Sequence, residues 1–177
     1  MGINSSDVGN MWNEVFTNGV AFSNRYEVLI FPPSFFGPDA TRQLAIRCES
    51  VVIPGRSLST AQYRFYGPTR NMPYESLYSG EISLTMILSA NLYERRFFER
   101  WMDFIVSNEN YKFKYYNEYI GSMQITAIDR TNTPIYSVQL EEVYPKMLSD
   151  IAMGYDKNDE IIKQDITLNY RKYSVIG

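Results

Sequence analysis

The segment Asn91–Ser107 constrains the fold more than any other part of the chain, because it predicts one strongly amphipathic helix. Apart from Leu92, its large apolar residues recur at helical spacing that puts most of them on one face, and they are Phe97, Phe98, Trp101, Met102, Phe104 and Ile105. Asn91 is the expected N-cap, and Glu94 three residues later would complete a capping box. A face this wide needs a broad apolar surface to cover, and the flanking sequence predicts strands. We therefore expect a sheet packed against one main helix.

The rest of the chain contains short segments with the alternation of polar and apolar residues that is typical of strands. The most regular is Glu81–Leu88, with Ile82, Leu84, Met86 and Leu88 on one face. The other predicted strands are Tyr26–Phe31, Leu44–Ser50, Tyr111–Tyr116, Met123–Ile128, Ile135–Val143, Leu148–Tyr155 and Asp165–Tyr173. The 177 residues suit one domain. The predicted fold is mainly β, an antiparallel β-sandwich or barrel with one flanking α-helix and a short N-terminal helix over Ser6–Asn18.

The segment Arg56–Gly80 contains no firm pattern of helix or strand. A stretch of this length without a regular element is unusual as a connection within a compact domain. It is rich in aromatic residues, which are poorly suited to isolated exposure to water. The sequence therefore predicts a projecting loop or hairpin arm that makes contacts with a partner. A surface loop packed on itself is the alternative.

The composition argues against enzymatic chemistry. The chain has no histidine, which removes the commonest general base, the Ser-His and Cys-His dyads and most zinc sites. Its single cysteine, Cys48, excludes an internal disulfide. Glu141 and Glu142 are adjacent in a predicted strand and point to opposite faces, so they cannot serve one glycosidase-like cleft. We expect no catalytic activity, no cofactor and no metal site.

The charge balance and hydropathy limit the possible partners. The net charge of -3 offers no basic patch of the kind that neutralises phosphates, so close wrapping of nucleic acid is not expected. A channel through which DNA passes without binding would favour such a mildly acidic balance. The N-terminus lacks the pattern of a secretion signal, and no run of about 18 apolar residues is present. We therefore expect no membrane anchor.

Several short motifs follow one another in a characteristic order and spacing. They are Asn24-Arg25-Tyr26-Glu27-Val28, Cys48 with Val52-Ile53-Pro54-Gly55, the Glu81–Leu88 strand, the helix with Phe97-Phe98 and Trp101, Val143-Tyr144-Pro145, Tyr155-Asp156-x-Asn158-Asp159-Glu160, and Ile166-Thr167-Leu168-Asn169-Tyr170. This arrangement resembles the tail tube proteins of contractile-tailed bacteriophages from about Asn13 to Tyr173. The order and the total length carry the resemblance, since each motif alone is unspecific.

The resemblance implies a small β-barrel-like sandwich that forms hexameric rings, which stack into a hollow tube. It implies as partners other copies of the chain, the tail sheath protein, and baseplate and tail-terminator proteins, with DNA passing through the lumen without specific binding. The expected location is the virion tail, with assembly in the host cytoplasm. The alternatives are a baseplate tube initiator, a tail-terminating paralogue, and an isolated β-sandwich module that binds carbohydrate or peptide.

The resemblance also gives roles to three sets of residues. The candidates for facing the lumen lie on the polar faces of two predicted strands, and they are Glu81, Ser83, Thr85, Thr167 and Asn169. The candidates for contacts between rings lie in the arm, and they are Arg56, Tyr63, Phe65, Tyr66, Tyr74 and Tyr78. The candidates for facing the sheath lie on the polar side of the main helix, and they are Glu94, Arg95, Glu99 and Arg100.

Overall fold

The computed structural model describes residues 21–37, 39–155 and 160–176, and these form an antiparallel β-structure with one long helix. In chain order the elements are β1 (Tyr26–Phe31), α1 (Asp39–Arg47), β2 (Cys48–Val51), β3 (Arg56–Tyr63), β4 (Arg70–Tyr78), β5 (Glu81–Ile87), α2 (Tyr93–Ile105), α3 (Tyr116–Tyr119), β6 (Gly121–Ile128), β7 (Pro134–Leu148), β8 (Lys163–Asn169) and β9 (Lys172–Ile176). The predicted fold class is confirmed. The predicted N-terminal helix lies outside the described residues.

The long strand β7 joins two layers of one seven-stranded sheet. Its first part, Pro134–Val143, pairs with β6, and its last part, Tyr144–Leu148, pairs with β8. Glu142 is an extra residue close to the end of the first part and has a left-handed φ of 58°. Its carboxylate accepts a hydrogen bond from Tyr116 at 2.7 Å and pairs with Arg171 at 3.1 Å. Such a bulge bends a strand, which lets β7 belong to both layers.

The two layers and α2 share one hydrophobic core. In the β5–β8 ladder, Ile82 lies opposite Leu168 and Leu84 lies opposite Ile166, and all four side chains are buried. The buried apolar side chains of β1, β6 and β7 alternate in the same way, and on the opposite face Thr126 and Ser137 are buried as well. Because neighbouring residues of a strand point to opposite faces, burying one face leaves the other face to polar side chains.

The aromatic face of α2 is buried as the sequence predicts. Phe97, Phe98 and Trp101 are almost completely inaccessible to solvent. The indole N–H of Trp101 donates to the carbonyl oxygen of Tyr119 at 2.8 Å, and the Phe36 ring lies 4.5 Å from the Phe97 ring. The helix therefore closes the core with rings rather than with aliphatic side chains.

The start of α2 differs from the predicted capping box, because Ser89 takes the place expected for Asn91. The helix begins after Leu92, which has a left-handed φ of 52°. The N–H of Tyr93 donates to the hydroxyl of Ser89 at 3.2 Å and to the side-chain oxygen of Asn91 at 3.3 Å. The Glu94 carboxylate accepts bonds from the N–H and the hydroxyl of Ser89, at 2.8 and 2.7 Å. Ser89 and Glu94 are five residues apart, which is two more than the usual spacing of the box.

Glu94 faces inward, so its predicted position on the outer side of the helix is wrong. The residue is only 2% exposed, and its carboxylate lies 3.9 Å from the Arg47 guanidinium. Burial alone would raise the pKa of Glu94, but the two hydrogen bonds from Ser89 and the charge of Arg47 outweigh it and lower the pKa. The ionised carboxylate therefore ties α2 to the end of α1.

We expect Glu94→Gln to lower the free energy of unfolding by about 1–3 kcal/mol near neutral pH, because charge-assisted hydrogen bonds are lost. Since the pKa of Glu94 is lowered in the folded state, its stabilisation is fully present above the unfolded-state pKa and is lost as the pH falls through the folded-state pKa. Denaturant titrations of both proteins should therefore converge below about pH 4.3. A difference that persists unchanged in strong acid would contradict this role.

Glu99→Gln is the matched control for this substitution. Glu99 lies on the same helix and pairs with Arg95 at 2.7 Å, but both side chains are partly exposed. Exposed pairs of this kind contribute only about 0.3–0.5 kcal/mol. The control should therefore change the free energy of unfolding much less than Glu94→Gln does.

The predicted strand Leu44–Ser50 is wrong in its first part, because α1 occupies that part and β2 begins only at Cys48. Ala40 and Leu44 lie one helical turn apart, and both are buried. Ile46, whose alternation with Leu44 suggested a strand, is 74% exposed. Helical spacing therefore explains the buried residues of this segment better than alternation does.

Three further predicted strands differ in extent. The segment Tyr111–Tyr116 is irregular and makes only an isolated bridge between Val106 and Phe113 before α3 begins. The segment Leu148–Tyr155 is not a strand beyond its first residue, where β7 ends. The segment Asp165–Tyr173 is divided into β8 and β9 by Tyr170 and Arg171. The last division matters because the two strands lie in different layers. The strand β9 pairs with the first part of β7, whereas β8 pairs with its last part.

The segment Arg56–Tyr78 forms a regular hairpin, β3–β4, although the sequence showed no firm strand there. The two strands pair with each other in a sheet of their own, and every residue of β4 is exposed. The turn contains Gly67 with a positive φ of 81°. Pro73 obscured the second strand, but it lies opposite Thr60 next to a register shift, where a missing N–H is tolerated.

Candidate functional site

The outer face of the β2-β5-β8-β7 layer gathers the residues predicted to face a lumen. In the ladder between β5 and β8, Glu81 lies opposite Asn169 and Ser83 lies opposite Thr167. Thr85 follows on the same face of β5 and is half-buried. Glu81 and Ser83 are exposed, whereas Thr167 and Asn169 are half-buried. The structure therefore places the five candidates side by side on one surface, which we call the polar sheet face.

Charged residues that were not assigned from the sequence complete the polar sheet face. Lys146 of β7 pairs with Glu81 across β8, and Lys163 of β8 pairs with Glu49 across β5. Asp165 accepts a hydrogen bond from the threonine of β5 at 2.7 Å. Lys163 and Asp165 continue the alternation of β8 and could have been found from it. Lys146 and Glu49 lie at register shifts, which alternation does not predict.

The electrostatics of this face are close to neutral. It carries the carboxylates of Glu49, Glu81 and Asp165 and the ammonium groups of Lys146 and Lys163. Both ion pairs are substantially exposed, so they contribute little to stability. Their main effect is to neutralise the lysines, which leaves no unpaired cation from these five residues to attract a phosphate backbone.

The hairpin exposes a large apolar surface. Its exposed hydrophobic residues are Leu58, Tyr63, Phe65, Tyr66, Met72, Tyr74, Leu77 and Tyr78. The two residues nearest the tip, Phe65 and Tyr66, are 85% and 96% exposed. Monomeric soluble proteins rarely expose so many large apolar side chains on one short element. The hairpin surface is therefore suited to contact with another protein surface.

The base of the hairpin is attached to the β-sandwich. Tyr78 stacks on Tyr173 of β9 with ring centroids 6.0 Å apart, and the Arg56 guanidinium lies 5.7 Å from the Tyr78 ring. The hydroxyls of Ser79 and Tyr170 are 3.1 Å apart. Two of the predicted arm residues, Arg56 and Tyr78, thus belong to the attached base. The other four lie farther along the hairpin, where contacts with a partner are possible.

The outer side of α2 carries three of the four residues predicted to face a sheath. Arg95 and Glu99 form the partly exposed pair described above, and Arg100 is exposed. Arg96, which was not assigned from the sequence, is also exposed on this helix. Among the described residues, Arg96 and Arg100 have no ion-pair partner.

The described residues offer little for other chemistries. They contain no cluster of Cys, Asp and Glu that could hold a metal ion. Within the same residues, no helix is both long and apolar enough to cross a bilayer. Burial raises the pKa of the Cys48 thiol to about 11, so this cysteine is protonated and weakly nucleophilic at neutral pH.

Comparison with protein families identifies the architecture. The model of the phage tail tube protein family matches residues 21–176, which is most of the chain. The chain belongs to the phage tail tube protein family. It is accordingly a structural, non-enzymatic protein of the tail tube type, which confirms the resemblance seen in the motif order. No curated protein matches this tail tube protein by sequence comparison.

Solved structures share the fold of this tail tube protein. A chain in the cryo-EM structure of the anti-feeding prophage (AFP) baseplate, 6-fold symmetrised, aligns with a TM-score of 0.67 and 14% identity, over 90% of this chain and 97% of that chain. A chain in the PVC sheath-tube complex, an extracellular contractile injection system in the extended state, aligns at 0.63 and 18%, over 93% and 96%. A chain in the PVC sheath/tube terminator aligns at 0.65 and 17%, over 90% and 98%.

Proposed function

We propose that this protein is the tube subunit of a contractile-tailed bacteriophage and forms hexameric rings that stack into a hollow tube. The observation that carries the proposal is the polar sheet face, which unites all five lumen candidates on one side of a layer whose other side is core. The edges of this layer are β2 and the segment Tyr144–Leu148. Joining these edges between copies would close the layer into a continuous wall and remove the exposed strand edges.

The polar sheet face would then line a channel through which DNA passes on sheath contraction. Its lysines are paired with carboxylates, its other candidate residues supply hydroxyls and an amide, and the exposed Met147 opposite Thr167 is uncharged. A wall of this kind has no row of unpaired positive charges that could bind the DNA phosphates. DNA would therefore move along it without being arrested by many small attractions.

We expect Ser83→Lys to make the tube retain DNA. Ser83 is exposed on the polar sheet face, so each subunit would add one unpaired positive charge to the wall. Tubes should still assemble, and short duplex DNA should sediment with them at low salt and be released at high salt. Thr131→Lys, in the exposed β6–β7 turn, is the control and adds the same charge outside the proposed lumen. Equal retention of DNA by both variants would contradict the assignment of the lumen.

The outer surface of the tube would contact the sheath. The AFP and PVC structures include a baseplate, a sheath-tube complex and a sheath/tube terminator, and these support the same kinds of partner here. Arg95, Glu99 and Arg100 are the proposed sheath-facing residues. The exposed hairpin residues Tyr63, Phe65, Tyr66 and Tyr74 are proposed to join successive rings. Subunits would assemble in the host cytoplasm and end in the virion tail.

A specialised single ring is the second candidate function. Chains in the AFP baseplate and in the PVC terminator have the same fold as this chain, so a baseplate tube initiator or a tail-terminating paralogue would fit equally well. An initiator or terminator would form a single ring, whereas the tube subunit would form many stacked rings. A β-sandwich that binds a ligand as a monomer would instead leave its apolar hairpin uncovered.

Negative-stain electron microscopy of the purified protein tests the proposed function. We expect rings and long tubes, because the contacts between successive rings repeat along one axis. Rings that never stack would favour the initiator or terminator. A strict monomer that resists seeding at high concentration would exclude both and favour the binding module.

A further inference from the structure

Two neighbouring apolar grooves lie where β1, α1 and α2 approach one another. The first groove lies between β1 and α1, has a volume of about 700 Å³, and is lined by residues including Leu29, Phe31 and Ile46. Phe31 is 42% exposed and Ile46 is 74% exposed. We call it the β1–α1 groove.

The second groove, which we call the α2 groove, adjoins the first. It has a volume of about 390 Å³, and its walls include Phe35, Tyr93 and Phe97. Phe36 and Gly37 line both grooves, so the two are contiguous. Phe35 is 55% exposed although it stacks on Phe104 at 4.6 Å. The two grooves together leave a strip of aromatic and aliphatic surface uncovered.

The rims of the two grooves are positively charged. Arg42 lines the β1–α1 groove, and Arg96 and Arg100 line the α2 groove one helical turn apart. None of the three has an ion-pair partner among the described residues. Glu27 is the one carboxylate among the described lining side chains. The strip therefore suits an occupant that is apolar and carries negative charge.

The N-terminal part of the same chain has this chemistry. Before Arg25 it contains no lysine or arginine, and its two charged side chains are Asp7 and Glu14. Between them and directly after them lie five large apolar residues, Val8, Met11, Trp12, Val15 and Phe16. Two carboxylates and an apolar stretch thus match three unpaired arginines and an apolar strip, by charge and by polarity.

The length of this segment allows it to reach both grooves. The β1–α1 groove begins at Glu27, near the point where β1 starts, and leads along the strand toward Phe36. The strand β1 spans about 20 Å. The ten residues from Trp12 to Phe22 span about 35 Å when fully extended, and about 23 Å when the predicted helix continues to Asn18. A chain that turns back before β1 can therefore cover the first groove and place Trp12 at the second.

We propose that residues 7–16 of this chain lie in the β1–α1 and α2 grooves, with their apolar side chains on the aromatic strip and their carboxylates toward Arg42, Arg96 and Arg100. The inference does not depend on tube assembly, because the occupant and the grooves belong to one subunit. It assigns to α2 a contact with the N-terminal segment in addition to its place in the core. Arg100 would then belong to this contact, which leaves Arg95 and Glu99 as the sheath-facing residues of the helix.

Acrylamide quenching of tryptophan fluorescence in the full-length protein tests this proposal. The chain has two tryptophans, and Trp101 is 0% exposed, so the quenching reports mainly on Trp12. We expect Trp12 to be shielded in the wild type and the quenching constant to rise severalfold in R96E/R100E, because the variant reverses both charges of the α2 groove. A neutral quencher avoids any direct effect of the altered charges.

A charge exchange and a control make the test specific. Adding D7R/E14R to R96E/R100E should restore the shielding, because the interacting charges are then reversed on both sides. R64E/R70E, which makes the same charge change on the exposed hairpin, should leave the quenching as in the wild type. A freely quenched Trp12 in the wild type, shielding unaffected by R96E/R100E, or failure of the charge exchange would overturn the proposal. Shielding that disappears on dilution of the folded protein would place the segment on a second copy and would also overturn it.

Discussion

Replacement of Arg56–Ser79 by a short Gly-Ser linker is expected to give a folded subunit that no longer forms tubes. The hairpin forms a separate sheet, and the core cluster of described residues includes none of its side chains. Its removal loses the stacking of Tyr78 on Tyr173 and the contact between the hydroxyls of Ser79 and Tyr170, and of these four residues only Tyr170 belongs to the core. Circular dichroism should show a native β-signal with cooperative unfolding, while negative-stain images should show no tubes.

Point variants separate the role of the apolar surface from the role of the hairpin backbone. Phe65→Ser with Tyr66→Ser removes the most exposed rings near the hairpin tip and should reduce tube formation strongly. Tyr111→Ser removes an aromatic side chain that is 79% exposed outside the hairpin, and tubes should still form. If the truncated protein forms tubes as readily as the wild type, the hairpin does not join the rings.

Trp101→Ala is expected to cost about 3–5 kcal/mol of the free energy of unfolding, which would unfold a marginal domain. Trp101 is 0% exposed and lies within ring-contact distance of Phe36, Phe97 and Phe98. Its loss leaves a cavity and deprives the carbonyl of Tyr119 of its N–H donor. Denaturant unfolding followed by circular dichroism measures the effect.

Trp101→Phe is the matched control for the truncation. It keeps an aromatic ring among its neighbours but removes the hydrogen bond to Tyr119, so it should cost about 1–2 kcal/mol. Equal destabilisation by both variants would mean that the hydrogen bond, and not the packing of the rings, holds α2 on the sheet. If Trp101→Ala changes the free energy of unfolding by less than a typical substitution of an exposed residue does, the helix does not have a central place in the core.

The periodic parts of the molecule could be predicted from the sequence. Helical spacing identified Phe97, Phe98 and Trp101 as the buried face of α2, and alternation identified the buried and polar faces of β5. The candidate lumen residues on β5 and β8 follow from the same alternation. Their arrangement on one surface needed the register, because a shift by one residue would have separated Ser83 from Thr167.

The features that were missed depend on contacts between distant parts of the chain. Glu94 is buried because the loop at Ser89 folds back onto it and Arg47 approaches from another helix. Lys146 and Glu49 reach the polar sheet face from register shifts, which have no periodic signature. A periodic sequence pattern describes one helix or strand at a time, so it does not predict contacts between distant elements.

The most direct measurement is the accessibility of single cysteines in assembled tubes. In a Cys48→Ala background, Ser83→Cys reports on the polar sheet face, and Glu99→Cys reports on the outer side of α2. A maleimide attached to a polyethylene glycol too large for the bore should label Glu99→Cys in intact tubes but label Ser83→Cys only after the tubes are dissociated. Equally fast labelling of Ser83→Cys in intact tubes and in free subunits would contradict a lumen lined by this face.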